Sequence, residues 1–196
     1  MKKLVSMLLA LTLVLGLFAG CKGGSDKAPL TGTLDEIIEK IYAEKSVEFM
    51  VGTMPVDLTD TAWSLPAYTG LKDASKIKEA AFSEAMIGSI AYSLVLVRLN
   101  DSKDAKAVAE EMKSGIDTRK WICVEADDLK VAGYCDTVML IMVSSEHAAS
   151  VTAQDMVDAF KAVCGGELDF VSYPAQTAAA RPLPLLYPTL ICKMIL

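Results

Sequence analysis

The chain has 196 residues, 53% of them apolar and 22% charged, with a net charge of −6 and five cysteines. That length fits one domain with short appendages, and so apolar a chain can bury a core, which excludes global disorder. The acid excess excludes the basic face that a nucleic acid or other polyanion requires of its partner.

The chain opens MKKLVSMLLALTLVLGLFAGC. Lys2 and Lys3 form a basic start, Leu4 to Phe18 an apolar run, and the small pair Ala19-Gly20 precedes Cys21. The run is shorter than the ~20 residues of a membrane-spanning helix and suits a secretory signal. With the cysteine directly after two small residues, the segment resembles a bacterial lipoprotein signal, with Leu17-Phe18-Ala19-Gly20-Cys21 as its lipobox. The resemblance implies cleavage after Gly20 and a thioether-linked diacylglycerol on Cys21, with further acylation (palmitate or a similar chain) at the new amino terminus. Two or three such chains, at ~0.8 kcal/mol per buried methylene, hold a protein on a bilayer. Residues 1–20 are thus a signal peptide, and Cys21 to Gly32, rich in Gly, Ser, Lys and Asp, read as a lipidated flexible tether.

Thr33-Leu34-Asp35-Glu36 fits a capping box. Leu34, Ile37, Ile38 and Ile41 follow at helical spacing, which predicts a helix over 34–45. Residues 46–76 are punctuated by Gly52, Pro55, Pro66 and Gly70, with Trp63 and Tyr68 expected to pack this excursion onto the core. Segments 79–87 and 91–99 flank Gly88-Ser89-Ile90 as a hairpin, and Leu94-Val95-Leu96-Val97 is apolar on both faces. A second helix follows Asp101 or Ser102, with Ala105, Val108, Met112 and Ile116 as its stripe and Gly115 near its end. Short extended segments are expected at 121–124 and 129–131. Gly133 to Asp136 then turns into the doubly apolar strand 138–143, and Thr152 caps a third helix that Gly165-Gly166 stops.

The resulting expectation is an α+β domain over 33–166: a mixed or antiparallel sheet with helices packed on one face. A strand–strand–helix pattern recurs at 79–115 and 129–164, a possible pseudo-repeat. Residues 167–196 read as a Pro-containing apolar tail outside the cooperative fold, since Pro182, Pro184 and Pro188 preclude a regular helix or central strand there.

Ser83-Glu84-Ala85, LVLVRLNDSKDAKAVAEEM at 94–112, IDTRKWICV at 116–124 and DTVMLIMVSS at 136–145, behind a lipobox, resemble a domain-of-unknown-function family of small lipoproteins found mainly in Firmicutes. The resemblance covers roughly 33–164. It implies a lipid anchor, an extracytoplasmic α+β domain on the cell membrane, and no assigned chemistry.

The residues themselves offer few chemical constellations. His147 is the only histidine, and no glycine-rich phosphate loop, nucleophile elbow or Cys-x-x-Cys occurs. No cofactor or metal site is expected. Glu125, Asp127 and Asp128 form the densest acidic cluster, which lacks the glycine and distal glutamate of a calcium loop and reads equally as a solvated turn. Glu84 is a functional carboxylate if it faces a pocket, and otherwise a structural acceptor. Arg119-Lys120-Trp121 suits an anionic or stacking ligand, or a helix-to-strand junction with Trp121 in the core. Cys123, Cys135, Cys164 and Cys192 would face an extracytoplasmic compartment. A Cys123–Cys135 disulfide and buried thiols both fit, and the apolar settings favour the thiols. These readings sum to a membrane-anchored binding or assembly module with a protein or small-ligand partner. The alternatives are an enzyme using Glu84 or Glu125, or a structural accessory of a membrane complex.

Overall fold

The computed structural model describes residues 27–172. Cys21, Cys192, the signal segment and the tail from 173 onward lie outside the described residues. Thr33 starts α1 (Leu34–Glu44): its hydroxyl accepts from the Glu36 N–H, and the Glu36 carboxylate accepts from the Thr33 N–H. In chain order β1 (Val51–Pro55), a short α2 (Ser64–Thr69), β2 (Ile77–Ala85), β3 (Tyr92–Leu99) and α3 (Ala105–Gly115) follow. Then come β4 (Asp128–Tyr134), β5 (Thr137–Val143), α4 (Ala153–Cys164) and β6 (Phe170–Ser172). Thr152 and Asp155 form the capping box of α4, and Gly165, left-handed at φ 67°, ends it.

The six strands form one sheet in the order β1-β2-β3-β5-β4-β6, with every neighbouring pair antiparallel. The fold is α+β, with an open antiparallel sheet. Its helices, however, cover both faces, where one covered face was expected. One core joins Leu94, Leu96, Met139 and Ile141 to α1 and α4, and the other joins Val95, Val97, Val138 and Leu140 to α2 and α3. The reason lies in β3 and β5, which are buried at every position. A strand apolar on both sides needs cover on both sides.

The strand–strand–helix pattern does occur twice, as β2-β3-α3 and β4-β5-α4. The inner strands pair antiparallel, so a two-fold axis normal to the sheet would relate the two hairpins. Such an axis would leave both helices on one face. They sit on opposite faces, so the units share an order of elements and not a symmetric structure.

The α3 end illustrates how close the packing is. Gly70 ends α2 at φ 75°, and Gly115 ends α3 directly against it. A Cβ added at Gly115 would fall on the Gly70 carbonyl oxygen. Both positions therefore need glycine: one for its left-handed backbone, the other for close approach.

Three further expectations change. Trp63 is 72% exposed and does not pack the 46–76 excursion onto the core, a task left to Tyr68, whose ring stacks on Phe82 at 3.7 Å. Residues 121–124 form no strand. The sheet also runs past Gly166, because Phe170–Ser172 pairs with Val131–Gly133 of β4.

The sheet has two distinct ends. At one, the β4–β5 turn, the chain's first described residues are clamped down. Lys27 donates to the Glu167 carbonyl and to the Asp169 carboxylate at 2.7 Å, and Asp169 also accepts from the Cys135 N–H. Arg98, buried on β3, pairs with Glu79 and donates to the Gly32 carbonyl at 3.0 Å. The other end carries the β2–β3 turn, the start of β3 and the loop 116–127.

Candidate functional site

That second end brings together residues that sequence singled out separately. Lys120 forms an ion pair with Glu84 of β2. Its ammonium also lies 3.3 Å from the Ala67 carbonyl, 3.4 Å from Ser93 Oγ, and over the Tyr68 and Trp121 rings at 5.2 and 5.4 Å. Ser93 Oγ donates to Glu84 at 2.9 Å. The sequence logic is local: Glu84 and Ser93 face each other across the β2–β3 ladder, on the face covered by α2. Burial pulls the Lys120 pKa down from its ordinary value, and the Glu84 charge opposes that shift. Lys120, Glu84 and Ser93 are thus all engaged with one another, and Ser93 is wholly buried. The cluster acts as a clasp fastening the loop 116–127 to the sheet, with Trp121 half-buried beside it.

Beside the clasp an open cleft of about 440 Å³ is lined by Arg119, Trp121, Val124, Glu125, Asp127 and Ser145, among others. Arg119 and Glu125, both largely exposed, pair across it at 3.3 Å. Asp127 accepts from the Ser145 N–H and hydroxyl, each at 2.6 Å. Asp128 turns away, accepting from Lys130 and from the Ala153 N–H at the start of α4. The acidic cluster is thereby split among four partners, and no group of three or more His, Cys, Asp or Glu placed to hold a metal ion occurs among the described residues. His147 closes a 3₁₀ turn with its ring 6.2 Å from Phe49, outside the cleft lining.

The cysteines separate too. Cys135 and Cys164 are buried thiols, and burial pushes Cys164 up to about 12, far from thiolate chemistry at neutral pH. Cys123 is exposed and disulfide-bonded, but not to Cys135, so the buried-thiol expectation fails for this residue.

Sequence reading missed the third feature, the outer margin of the sheet on the α2 side. Met50, Met54 and Met86 are 71%, 53% and 66% exposed, and Ile87 follows in the β2–β3 turn. Met50 opposes Met86 through the Met86 N–H to Met50 carbonyl bond, and Met54 opposes Phe82. Gly52, between Met50 and Met54, leaves a gap into which Met86 leans, 3.6 Å from where a Cβ would stand. The opposite face of β1 is secured: Tyr42 of α1 and Thr53 both donate to Ser83 Oγ, at 2.8 and 3.0 Å. The available signal was the run Met50 to Pro55, in which glycine and proline masked a strand.

Compared with protein families, curated proteins and solved structures, the chain matches none. No helix among the described residues is long and apolar enough to cross a membrane.

Proposed function

We propose that this is a lipid-anchored extracytoplasmic protein, allied to the small lipoproteins it resembles, that binds a partner at the membrane and does no chemistry itself. The observation that carries the binding reading is the exposed methionine shelf of Met50, Met54 and Met86 at one margin of an otherwise well-covered sheet. Exposed apolar side chains gathered at one place mark interaction sites, and methionine adapts to varied partners. Against the enzymatic alternative stand its two carboxylates: Glu84 is engaged by Lys120 and Ser93, and Glu125 lies in an open cleft paired with Arg119.

The anchor reading rests on the signal-like start and Cys21. Lys27 is clamped to the β4–β5 end, and the six residue steps of chain from Cys21 to Lys27 reach at most about 20–22 Å. A lipidated Cys21 therefore keeps that end near the bilayer and presents the other end, with clasp, cleft and shelf, away from it. Replacing Cys21→Ser tests the anchor. The wild type should take up labelled palmitate and sediment with membranes, while the variant should stay uncleaved or turn soluble. Unchanged cleavage and sedimentation of the variant would contradict the anchor.

A further inference from the structure

The edge strand beside the methionine shelf carries more information than its exposure. β1 reads Val-Gly-Thr-Met-Pro, without a charge. The bonds from Met86 N–H to the Met50 carbonyl and from Val56 N–H to the Ala80 carbonyl fix which residues face β2. In an antiparallel ladder these alternate, so Gly52 and Met54 also bond inward. Val51 and Thr53 then point their N–H groups outward, and Val51, Thr53 and Pro55 their carbonyls. Among the described residues no strand pairs with that edge.

Such edges are normally blunted by lysine, by inward charges, by bulges or by a covering element. β1 has only Pro55, which stops pairing at one end. The opposite edge differs: β6 is three residues long, and its Ser172 is tied by Lys113 and Glu110. An uncharged edge next to adaptable apolar side chains has the parts used in strand addition, in which main-chain bonds supply affinity and alternate side chains supply selectivity.

We infer that the outer edge of β1 receives an extended segment of a partner protein, paired main chain to main chain. Its alternate side chains, apolar and large, settle on the shelf of Met50, Met54 and Met86 over Gly52. This rests on the binding-module reading and specifies its partner. A second copy of the chain is the poorer occupant. Antiparallel pairing of β1 with itself reverses strand direction, so the two Lys27 ends would lie at opposite ends of the joined sheet. Tethers of about 20–22 Å to one bilayer oppose that arrangement.

The test uses the full chain in detergent micelles and, as probe, the labelled acetylated peptide Thr-Val-Thr-Leu-Thr-Val-Thr. Saturable binding is expected, with amide exchange at Val51 and Thr53 slowed at least about tenfold. Thr53→Pro removes one outward donor and leaves the main-chain β1–β2 bonds alone, though it also loses the Thr53 hydroxyl bond to Ser83, and Met54→Asp spoils the shelf. Each should weaken binding by about tenfold or more, roughly one lost main-chain or apolar contact. Thr53→Val loses the same hydroxyl bond to Ser83 but keeps the N–H, so it should bind the peptide more tightly than Thr53→Pro does. Should Thr53→Pro fold poorly, Met54→Asp and a peptide N-methylated at alternate residues carry the test.

The inference is overturned if the peptide fails to bind at about millimolar concentration or binds the variants equally well. It is also overturned if Val51 and Thr53 are already protected without peptide, or if the chain forms dimers that Thr53→Pro abolishes. Palmitate uptake and sedimentation of Cys21→Ser are read separately from peptide binding, so failure here is distinguishable from failure of the anchor.

Discussion

The centre and the margin of this sheet are built on opposite terms. β3 and β5 are buried along their whole length between two helix layers, whereas β1 is held on one face by Tyr42 and Ser83 and, among the described residues, has no strand paired to its outer edge. At the centre every side chain is buried, and the polar Ser93 and Arg98 are engaged by Glu84 and Glu79. The margin has spare backbone groups and spare apolar surface, the two things a docking strand uses. The buried core and the exposed edge are thus segregated by position in the sheet.

The largest expected effect lies at the centre. Leu96→Ala or Ile141→Ala removes a fully buried side chain, and each should lower unfolding free energy by ~2–5 kcal/mol through transfer and cavity terms. Met54→Ala, in the same sheet, should stay within about 0.5 kcal/mol. Chemical denaturation of the three variants compares them directly. A Met54 cost equal to that of Leu96 would erase the distinction.

An intermediate effect is expected at the clasp. Lys120→Met deprives the half-buried Glu84 of its cation, and should cost ~1–3 kcal/mol, the range for leaving a polar group short of a partner. Adding Glu84→Gln should restore part of that loss, which a thermal double-mutant cycle reads as coupling. Additive losses would mean that the pair only decorates the surface.

A smaller effect concerns pH. The Thr152 N–H holds the Asp155 carboxyl below its ordinary value of 3.8, and hydrogen bonds from Thr59, Ser75 and Lys103 do the same for Asp57, Asp73 and Asp101. Carboxylates with depressed folded-state pKa contribute stability above the unfolded value, and that stability is lost as pH falls through the folded value. Thermal midpoints should therefore be level from neutral pH down to about 5 and decline below about 4. Asp155→Asn should narrow its gap to the wild type at the acid end. A midpoint that rises on acidification would contradict the assignment.

Sequence pattern reached the centre of this molecule far better than its margin. Leu94 to Val97 and Val138 to Val143 announce buried strands because burial on both faces leaves an unbroken apolar run, and Thr33 and Thr152 announce helix starts because capping is local. The same runs implied two helix layers, an implication that the one-faced expectation overlooked. β1 was illegible for a physical reason: Gly52 and Pro55 are turn signals anywhere but an edge, and only partners distant in sequence, Ser83 and Tyr42, hold this segment extended. Glu84 and the Arg119-Lys120-Trp121 run were each visible as isolated candidates. Their union in one ion pair depends on a loop folding back over a hairpin, which spacing alone does not encode.

The most direct test of an open edge on β1 is residue-by-residue amide exchange in the full chain held in detergent micelles. Gly52 and Met54, bonded to β2, should exchange slowly, and Val51 and Thr53, pointing outward, should exchange fast, giving an alternation along a single strand. Equal protection at all four amides would mean that the edge is already occupied, and the margin would then be no more open than the centre.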